Sequence, residues 1–549
     1  MARLTSRVLG VIWLALSITA AAADEAANRE ALRVEVEQLR DSGRLSIGGV
    51  DIASGDLLAE LYERRNFTPT WTDVKQIDEL LVAVNAMYDD GLDPSDYHAD
   101  EIEFVKRELE GGRIVTPRER AALDIMLTDS VIRLGYHQRF GKVNPVDLDP
   151  VWNFARDLNG RDPATVLQEA IDAESLTRFL AELFPRGPLY IALRDALGKY
   201  RRIAADGGWP QTPDGATLKP GAEDVRVATL ALRLAVTGDL ADVSIASTTL
   251  YNNTIEAGIR VFQGRHGLEV DGVVGPATLR ALNVTVEQRI EQLRLNLERT
   301  RWVMHRIEDE LVIVNIAGFK AYLVRDRQIV WNAKVQVGAP YHKSPVFRSE
   351  LKYVVFKPTW TVPYSIATRE MLPKIKADPT YFDTRDFDVK DRAGNLVDPA
   401  SIDWSQLSRR NFGYTFVQRA GPGNALGQVK FIFPNKFSVY LHDTPSKALF
   451  GKAERAFSHG CIRVENPFEF AEVLLESEGW DRARIDAIVE TKSVYLSKPL
   501  PVFLLYWTAE VDVEGVVHFF TDVYERDEKV AKALAAPFAM ELPEGALGQ

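Results

Sequence analysis

The sequence lacks several features that would hold a protein together or attract a polyanion. Its 549 residues include a single cysteine, so no disulfide can form within the chain and packing must stabilise it. Positive charge is not in excess, because 66 Lys and Arg stand against 78 Asp and Glu, for a net charge of −12. Nucleic acids and anionic membranes favour a basic face, so neither is expected as a partner.

Long hydrophobic runs are also scarce. The run from Val8 to Ile18 follows Arg3 and Arg7 and precedes small residues that end at Ala23. This order predicts a secretory signal peptide over residues 1–23, with an uncleaved anchor as the alternative, although the run is short for a membrane span. No later run is long enough to cross a bilayer. We therefore expect an exported chain with no transmembrane span after signal removal.

The single cysteine lies in the stretch Ser458-His459-Gly460-Cys461-Ile462-Arg463, and His442 stands 19 residues before Cys461. The thiolate is the reactive form of cysteine, and a free thiol with a pKa near ~8.5 is mostly protonated at neutral pH. Cys461 therefore needs a base, and His442 is the candidate. Gly460 lets the backbone come close to a substrate, so N–H groups around His459 and Gly460 would face a developing oxyanion.

Two other interpretations of these residues compete with a nucleophile and its base. The first is a buried structural cysteine beside a satisfied core histidine. The second is a zinc site built from His442, His459 and Cys461. Zinc usually takes three or four ligands with a tight local pair, and the sequence has no further cysteine. We therefore predict that the protein holds no metal and no cofactor.

The whole string HDTPSKALFGKAERAFSHGCIRVENP resembles the L,D-transpeptidase family of peptidoglycan enzymes, whose catalytic domain is called YkuD-like. The family motif is a histidine, a spacer, then Ser-His-Gly-Cys, one variable residue and Arg. The resemblance implies that Cys461 is the nucleophile and that His442 is its general base and acid. It also implies that a backbone carbonyl, not an acidic side chain, orients His442.

The resemblance further implies the substrate and the residues that bind it. The thiolate would attack a peptidoglycan tetrapeptide stem, release D-alanine, and pass the acyl group to the diaminopimelate side-chain amine of a second stem. Trp360, within the family-like string KPTWTVP, is expected near the substrate cleft. Arg463 would stabilise the loop or bind a substrate carboxylate. Ser458 and Asn466 are the other predicted substrate-binding residues.

The sequence of the N-terminal half predicts helices. Residues 24–221 show apolar positions at helical spacing between Gly and Pro clusters, and the string YERRNFTPTW resembles the scaffold region of larger, multidomain family members. Residues 222–284 include IEAGIRVFQGRHGLEVDGVVGPATLRAL, which resembles a peptidoglycan-binding module. Residues 285–309 are expected to form a connecting helix that opens with the capping-box pattern Thr285-Val286-Glu287-Gln288.

The C-terminal half changes to short β-branched runs separated by turns, which predict strands. We expect a mainly-β catalytic domain over residues 310–498, with a lid inserted at about residues 364–427. Residues 499–549 are predicted to hold a closing strand pair, Val502–Thr508 with Val516–Tyr524, and a tail. The fold class is therefore multidomain α+β.

The predicted function is cross-linking of the cell wall by L,D-transpeptidation in the periplasm, where the enzyme would contribute to cell-wall biogenesis and cell shape. Three alternatives stay open: an L,D-carboxypeptidase, an enzyme that attaches a protein to the wall, and a non-catalytic peptidoglycan-binding scaffold. The partners would be donor and acceptor tetrapeptide stems. Other wall-synthesis proteins would be candidates for binding the N-terminal helices.

Overall fold

The computed structural model describes residues 5–540, except residues 44, 48, 112, 114, 184, 186, 242–247, 306–307, 379, 384 and 539. Of the predicted signal peptide, residues 1–4 lie outside the described residues, and residues 5–23 are described only as helical backbone. Residues 541–549 of the predicted tail also lie outside them. Within the described part of the chain, no helix combines the length and the apolar character needed to cross a membrane.

Helices dominate the chain up to residue 301, and shorter ones follow it. In chain order they are α1 Thr5–Ser42, α2 Gly55–Arg64, α3 Val74–Ala86, α4 Ala99–Glu110, α5 Pro117–Phe140, α6 Pro145–Leu148, α7 Pro163–Ile171, α8 Leu176–Ala181, α9 Pro188–Ala205, α10 Arg226–Thr237, α11 Asn253–Arg265, α12 Pro276–Leu282, α13 Val286–Arg301, α14 Tyr364–Ile366, α15 Leu372–Ala377, α16 Pro467–Leu475, α17 Arg482–Asp486 and α18 Asp527–Ala535.

Strands dominate after residue 310. In chain order they are β1 Ser46–Ile47, β2 Val50–Asp51, β3 Leu311–Asn315, β4 Lys320–Arg325, β5 Gln328–Gly338, β6 Phe347–Phe356, β7 Trp360–Thr361, β8 Phe387–Lys390, β9 Leu396–Val397, β10 Thr415–Gln418, β11 Val429–Ile432, β12 Leu441–His442, β13 Ala456–Ser458, β14 Ile462–Val464, β15 Lys492–Leu505, β16 Ala509–Val511 and β17 Val517–Phe519. Together with the helices, they confirm the predicted multidomain α+β class.

The main sheet runs in the order β13-β5-β14-β12-β11-β6-β15-β3-β4, and β4 also pairs with β5. Because β4 joins back to β5, the sheet closes on itself, and β13 pairs with β5 beside the ring. Inward-facing apolar residues of β3, β6, β11 and β15 fill the interior, and the helix α16 packs Phe470 against Phe431 with ring centroids 4.6 Å apart. A closed sheet has few free edges, so its strand ends make a rigid platform for side chains.

The peptidoglycan-binding-like segment forms its own small core from α10, α11 and α12. The side chain of Gln263 in this segment explains why the following loop carries its Asp-Gly sequence at Asp271 and Gly272. The Gln263 side chain donates to Asp271 Oδ1 (2.8 Å) and to the Val273 carbonyl (3.0 Å), and it accepts from the Gly272 N–H (2.9 Å). Gly272 has φ +72°, a conformation that glycine adopts without steric penalty. One buried amide therefore holds the whole turn.

The interval between β7 and β11 folds as a separate unit. The strands β7, β10, β8 and β9 form a four-stranded antiparallel sheet, and α14 and α15 flank a π-helical turn at Ala367–Met371. This unit has its own apolar cluster, which includes Met371, Ile375, Val389 and Phe416. We call it the lid, as the sequence prediction did. A separate core is what an inserted subdomain needs to move as one body.

The connecting helix α13 begins with the predicted capping box, in which Thr285 and Gln288 bond each other's backbone N–H groups. Its C-terminal half carries a fully buried ion pair, Glu298 with Arg301, at 2.7 Å. Arg301 donates to the Asp90 carbonyl (3.0 Å), and Glu298 accepts from the Val143 N–H (2.7 Å). The helix is therefore bonded to the N-terminal helical region through buried charged groups.

The predicted closing strand pair is wrong in its partners. Residues 502–505 end the long strand β15, which lies inside the main sheet between β6 and β3. The strand β17 pairs instead with β16, from Ala509 to Val511. The predicted boundary at residue 498 also cuts through β15. Alternation of apolar residues predicts that a segment is extended, but it does not say which strand pairs with it.

Candidate active site

Neighbouring parallel strands carry the two predicted catalytic side chains. His442 ends β12, and Cys461 immediately precedes β14. In the register of these strands Leu441 lies opposite Ile462 and His442 lies opposite Arg463, while the Ile462 N–H donates to the Tyr440 carbonyl at 3.1 Å. The sheet therefore places the histidine and the cysteine, 19 residues apart in the chain, on neighbouring strands, where the register and strand alternation put them on one face.

His442 is buried, with 4% of its surface exposed. Its Nδ1–H donates to the Asp443 carbonyl oxygen at 2.5 Å, which leaves the lone pair on Nε2. Burial, followed by the positive charge of Arg463, lowers the pKa of His442 to about 3. The imidazole is therefore neutral at physiological pH.

The expected orientation of His442 through a backbone carbonyl is confirmed by this hydrogen bond. The Asp443 carboxylate serves a different purpose: it accepts from the Gln428 N–H at 2.8 Å and pairs with Lys447. A Cβ on Gly427 would lie 2.3 Å from that carboxylate, so only glycine fits there. The Asp443 carboxylate thus anchors the loop, while the backbone carbonyl of the same residue orients the imidazole.

Cys461 is half-buried, and its thiol lies 3.7 Å from the Ser438 carbonyl oxygen. Burial raises the pKa of the thiol, while hydrogen bonds from Tyr440 and the charges of Lys430 and Arg463 oppose that rise. The raised pKa of the thiol and the lowered pKa of the imidazole favour the neutral form of both groups at neutral pH.

Tyr440 and Lys430 were not found from the sequence. The hydroxyl of Tyr440 bonds the Cys461 thiol, and the Lys430 ammonium lies 4.0 Å from the Tyr440 ring centroid. The available signal was alternation: Tyr440 is two residues before His442, and strand residues i and i+2 share a face. Lys430 pairs directly across from His442 in the sheet, a register that the sequence does not disclose.

The loop between β13 and β14 is held by its own hydrogen bonds. Gly460 has φ +113°, and its N–H donates to Ser458 Oγ at 3.0 Å. Ser458 Oγ donates to the Cys461 carbonyl at 2.5 Å, and Ser344 Oγ donates to the Gly460 carbonyl at 2.8 Å. Ser458 is buried and was predicted to bind substrate; the structure assigns its hydroxyl to the loop instead. The Gly460 N–H, placed in the oxyanion region by sequence, is likewise already engaged.

The other predicted substrate-binding residues lie in three places. Arg463 is half-buried and donates to Gln336 Oε1 at 3.2 Å, and its charge acts on both His442 and Cys461. Asn466 is exposed at the N-terminus of α16, where its side chain makes no capping hydrogen bond. Trp360 lies in β7 and packs partly against the lid cluster. Of these residues, Arg463 lies opposite His442 in the sheet, and its charge acts on His442 and Cys461.

His459 connects the loop of Cys461 to the lid. It is exposed, and its Nε2 lies 2.8 Å from Glu370 Oε1 in the π-helical turn of the lid. The ring of His342 lies beside it, with centroids 4.8 Å apart. The side chain of His459 therefore faces the lid, while its backbone lies two residues before Cys461.

Three family models match separate parts of the chain. Residues 56–197 match a model described as "Scaffold domain", residues 223–282 match "Putative peptidoglycan binding domain", and residues 309–489 match "L,D-transpeptidase catalytic domain". These matches confirm the family resemblance inferred from the residues.

A curated protein of Haemophilus influenzae named "Putative L,D-transpeptidase" is 36% identical over 244 residues, which cover 44% of this chain and 49% of that protein. The match thus spans about half the length of the relative. Among solved structures, the L,D-transpeptidase (residues 123–326) of Xylanimonas cellulosilytica covers 53% of this chain and 98% of its own, at 15% identity and a TM-score of 0.17. That structural similarity is too low to support an inference.

Proposed function

We propose that this chain, which carries an L,D-transpeptidase catalytic domain, cross-links peptidoglycan by acyl transfer through Cys461. The observation that carries the proposal is the neutral His442, oriented by the Asp443 carbonyl, on the strand beside the one that Cys461 precedes. A scaffold domain and a peptidoglycan-binding domain precede the catalytic domain, which supports a substrate in the cell wall and an extracytoplasmic location. We propose the periplasm, reached through the signal peptide at residues 1–23.

The first step forms a thioester. As the Cys461 thiol approaches the amide carbonyl carbon before a terminal D-alanine, its proton passes to His442 Nε2. The sulfur–carbon bond forms, and the carbonyl oxygen becomes an oxyanion. The charges of Lys430 and Arg463 and the hydrogen bonds of Tyr440 favour the anionic sulfur during this transfer.

Collapse of the tetrahedral intermediate breaks the carbon–nitrogen bond, and protonated His442 returns its proton to the departing D-alanine amine. We propose that the N–H groups of His459 and Cys461 hold the oxyanion, since the Gly460 N–H is bonded to Ser458. Each such donor contributes about 3–4 kcal/mol to transition-state stabilisation in other enzymes. Acyl transfer to the diaminopimelate amine of a second stem then regenerates the thiol.

The test uses the purified chain with a disaccharide-tetrapeptide that contains diaminopimelate. We expect mass spectrometry to detect a cross-linked dimer that has lost one D-alanine. Cys461→Ala and His442→Ala should abolish it while circular dichroism stays unchanged. Retained turnover in either folded variant would contradict the assigned roles.

The same experiment separates the other functions. Tripeptide monomer without dimer would indicate an L,D-carboxypeptidase, in which water takes the acyl group. Untouched tetrapeptide and no mass added to Cys461 would indicate a binding scaffold. A product formed only when a wall-attached protein is supplied as amine would indicate protein attachment. Each of these results would replace the proposed cross-linking reaction.

A further inference from the structure

We propose that His342, Glu370 and His459 form a binding site for a zinc-class divalent cation, and that the cation fastens the lid to the loop of Cys461. One potential ligand atom from each residue lies within 4.8 Å of the other two. The three residues come from three separate parts of the chain, so their meeting is a product of the tertiary structure. We call this group the mouth cluster.

The spacing suits a small cation after small side-chain shifts, in which Glu370 and His459 move slightly apart and His342 moves closer. Zinc binds imidazole nitrogen and carboxylate oxygen at about 2.0–2.2 Å, so two ligands of a tetrahedral ion lie roughly 3.3 Å apart. Glu370 Oε1 and His459 Nε2 are already 2.8 Å apart, and the His342 and His459 rings lie with centroids 4.8 Å apart. Both histidines are exposed, so small side-chain rotations would bring the third ligand atom within range.

The donor types also favour zinc over calcium or magnesium. Two imidazoles and one carboxylate form a ligand set that zinc uses in proteins, with a fourth position left to water. Calcium and magnesium prefer oxygen ligands throughout. The cluster therefore favours a borderline ion that accepts both nitrogen and oxygen.

Two of the ligands are held on the barrel. A Cβ on Gly338 would lie 1.9 Å from the His342 carbonyl oxygen, so the loop of His342 packs directly against the end of β5. In the same loop, Ser344 bonds the Gly460 carbonyl at 2.8 Å, which ties His342 to the loop of His459. The third ligand, Glu370, belongs to the lid. A cation at the mouth cluster would therefore join a fixed pair of histidines to the movable unit.

The alternative is that Glu370 and His459 form an ordinary surface ion pair. Such pairs contribute about 0–1 kcal/mol and depend on protonation of the histidine. A cation would replace that proton and add His342, which the simple pair does not need. Metal binding and its dependence on His342 therefore separate the two interpretations.

Binding should be measured in the Cys461→Ser variant of the full, tag-free chain, so that the thiol cannot serve as a ligand. Isothermal titration with Zn²⁺ should show one site. Glu370→Gln and His342→Ala, each added to that variant, should weaken binding by at least the ~10–100-fold that loss of a supporting residue produces at zinc sites. His518→Ala removes a histidine from another exposed pair, with Asp512 at 2.7 Å, and should leave the affinity unchanged.

A chain that binds no Zn²⁺ in the Cys461→Ser variant, or that binds it equally with Glu370→Gln, would overturn the site. Because the nucleophile is absent in this experiment, its outcome does not depend on the proposed reaction.

The consequence for turnover rests on the proposed function. A cation that fastens the lid should slow exchange of substrate, so Zn²⁺ should inhibit cross-linking by the native chain and a chelator should restore it. Glu370→Gln should resist this inhibition. Equal inhibition of both chains would show that the cation acts elsewhere, for example at Cys461, and would overturn the lid-fastening role.

Discussion

Charged side chains contribute to two junctions in this chain, and the two differ in their exposure to water. Between the connecting helix and the N-terminal helices, Glu298 and Arg301 have fully buried side chains and bond the neighbouring backbone. Between the lid and the barrel, the side chains of Glu370 and His459 are 40% and 42% exposed. The first junction excludes solvent, and the second remains open to it.

This difference indicates which junction moves. Separating the connecting helix from the helical region would break the bonds of Glu298 to the Val143 N–H and of Arg301 to the Asp90 carbonyl and leave buried charged groups short of partners. The exposed pair of Glu370 and His459 is weakened by water and salt, so it holds the lid only weakly. We therefore expect the lid, and not the helical region, to be the part that moves.

The largest expected effect is on the buried junction. Arg301→Ala leaves Glu298 buried without its counter-ion and should lower the free energy of unfolding by about 3–5 kcal/mol. Chemical denaturation followed by circular dichroism measures this loss. Arg327→Ala is the control, because its pair with Asp309 is exposed and should contribute at most ~1 kcal/mol. Equal losses in the two variants would remove the distinction between the junctions.

The second prediction concerns the thiol at the open junction. Since burial raises the pKa of Cys461 and lowers that of His442 to about 3, the resting pair is neutral. Below the thiol pKa the thiolate fraction grows tenfold per pH unit, so alkylation by iodoacetamide should speed up about 100-fold from pH 6 to pH 8. Free cysteine, treated in parallel, corrects for the reagent. A rate independent of pH would indicate a resting thiolate–imidazolium pair.

The third prediction tests how tightly the buried junction is packed. A Cβ at Gly141 would lie 2.5 Å from Glu298 Oε1 and 2.9 Å from Trp302, whereas a Cβ at Gly160 would meet nothing within 4 Å. Both glycines have similar φ values, +81° and +75°. Gly141→Ala should therefore destabilise the chain by about 1–3 kcal/mol more than Gly160→Ala. Thermal unfolding of both variants separates the cost of the steric clash from the cost of replacing a glycine with positive φ. Equal melting temperatures of the two variants would argue against tight packing at Gly141.

The smallest expected change in stability is at the lid. Glu370→Gln should alter the free energy of unfolding by less than ~1 kcal/mol while increasing the rate at which a bulky maleimide labels Cys461, by at most about fivefold. Asp388→Asn breaks the exposed pair with Arg419 inside the lid and should not change labelling. If labelling is the same in both variants, the pair with His459 does not restrain the lid.

Local patterns in the sequence predicted several features correctly because each depends on neighbouring residues. The capping box of α13 joins Thr285 and Gln288, three positions apart, and the strands near residues 311–337 follow from runs of β-branched residues. The resemblance to the L,D-transpeptidase family followed from a gapped motif whose residues form one loop and the strand beside it. In each case the residues that carry the pattern lie within a short stretch of chain.

What the sequence alone determined is the motif around Cys461, the fold class and the resemblance to the L,D-transpeptidase family. The tertiary structure decided the rest, because it depends on which strands pair and what they bury. Lys430 and Tyr440 reach the thiol environment through the register of β11, β12 and β14. The neutral state of His442 follows from burial, and the mouth cluster from the packing of the lid against the barrel, which no local pattern encodes.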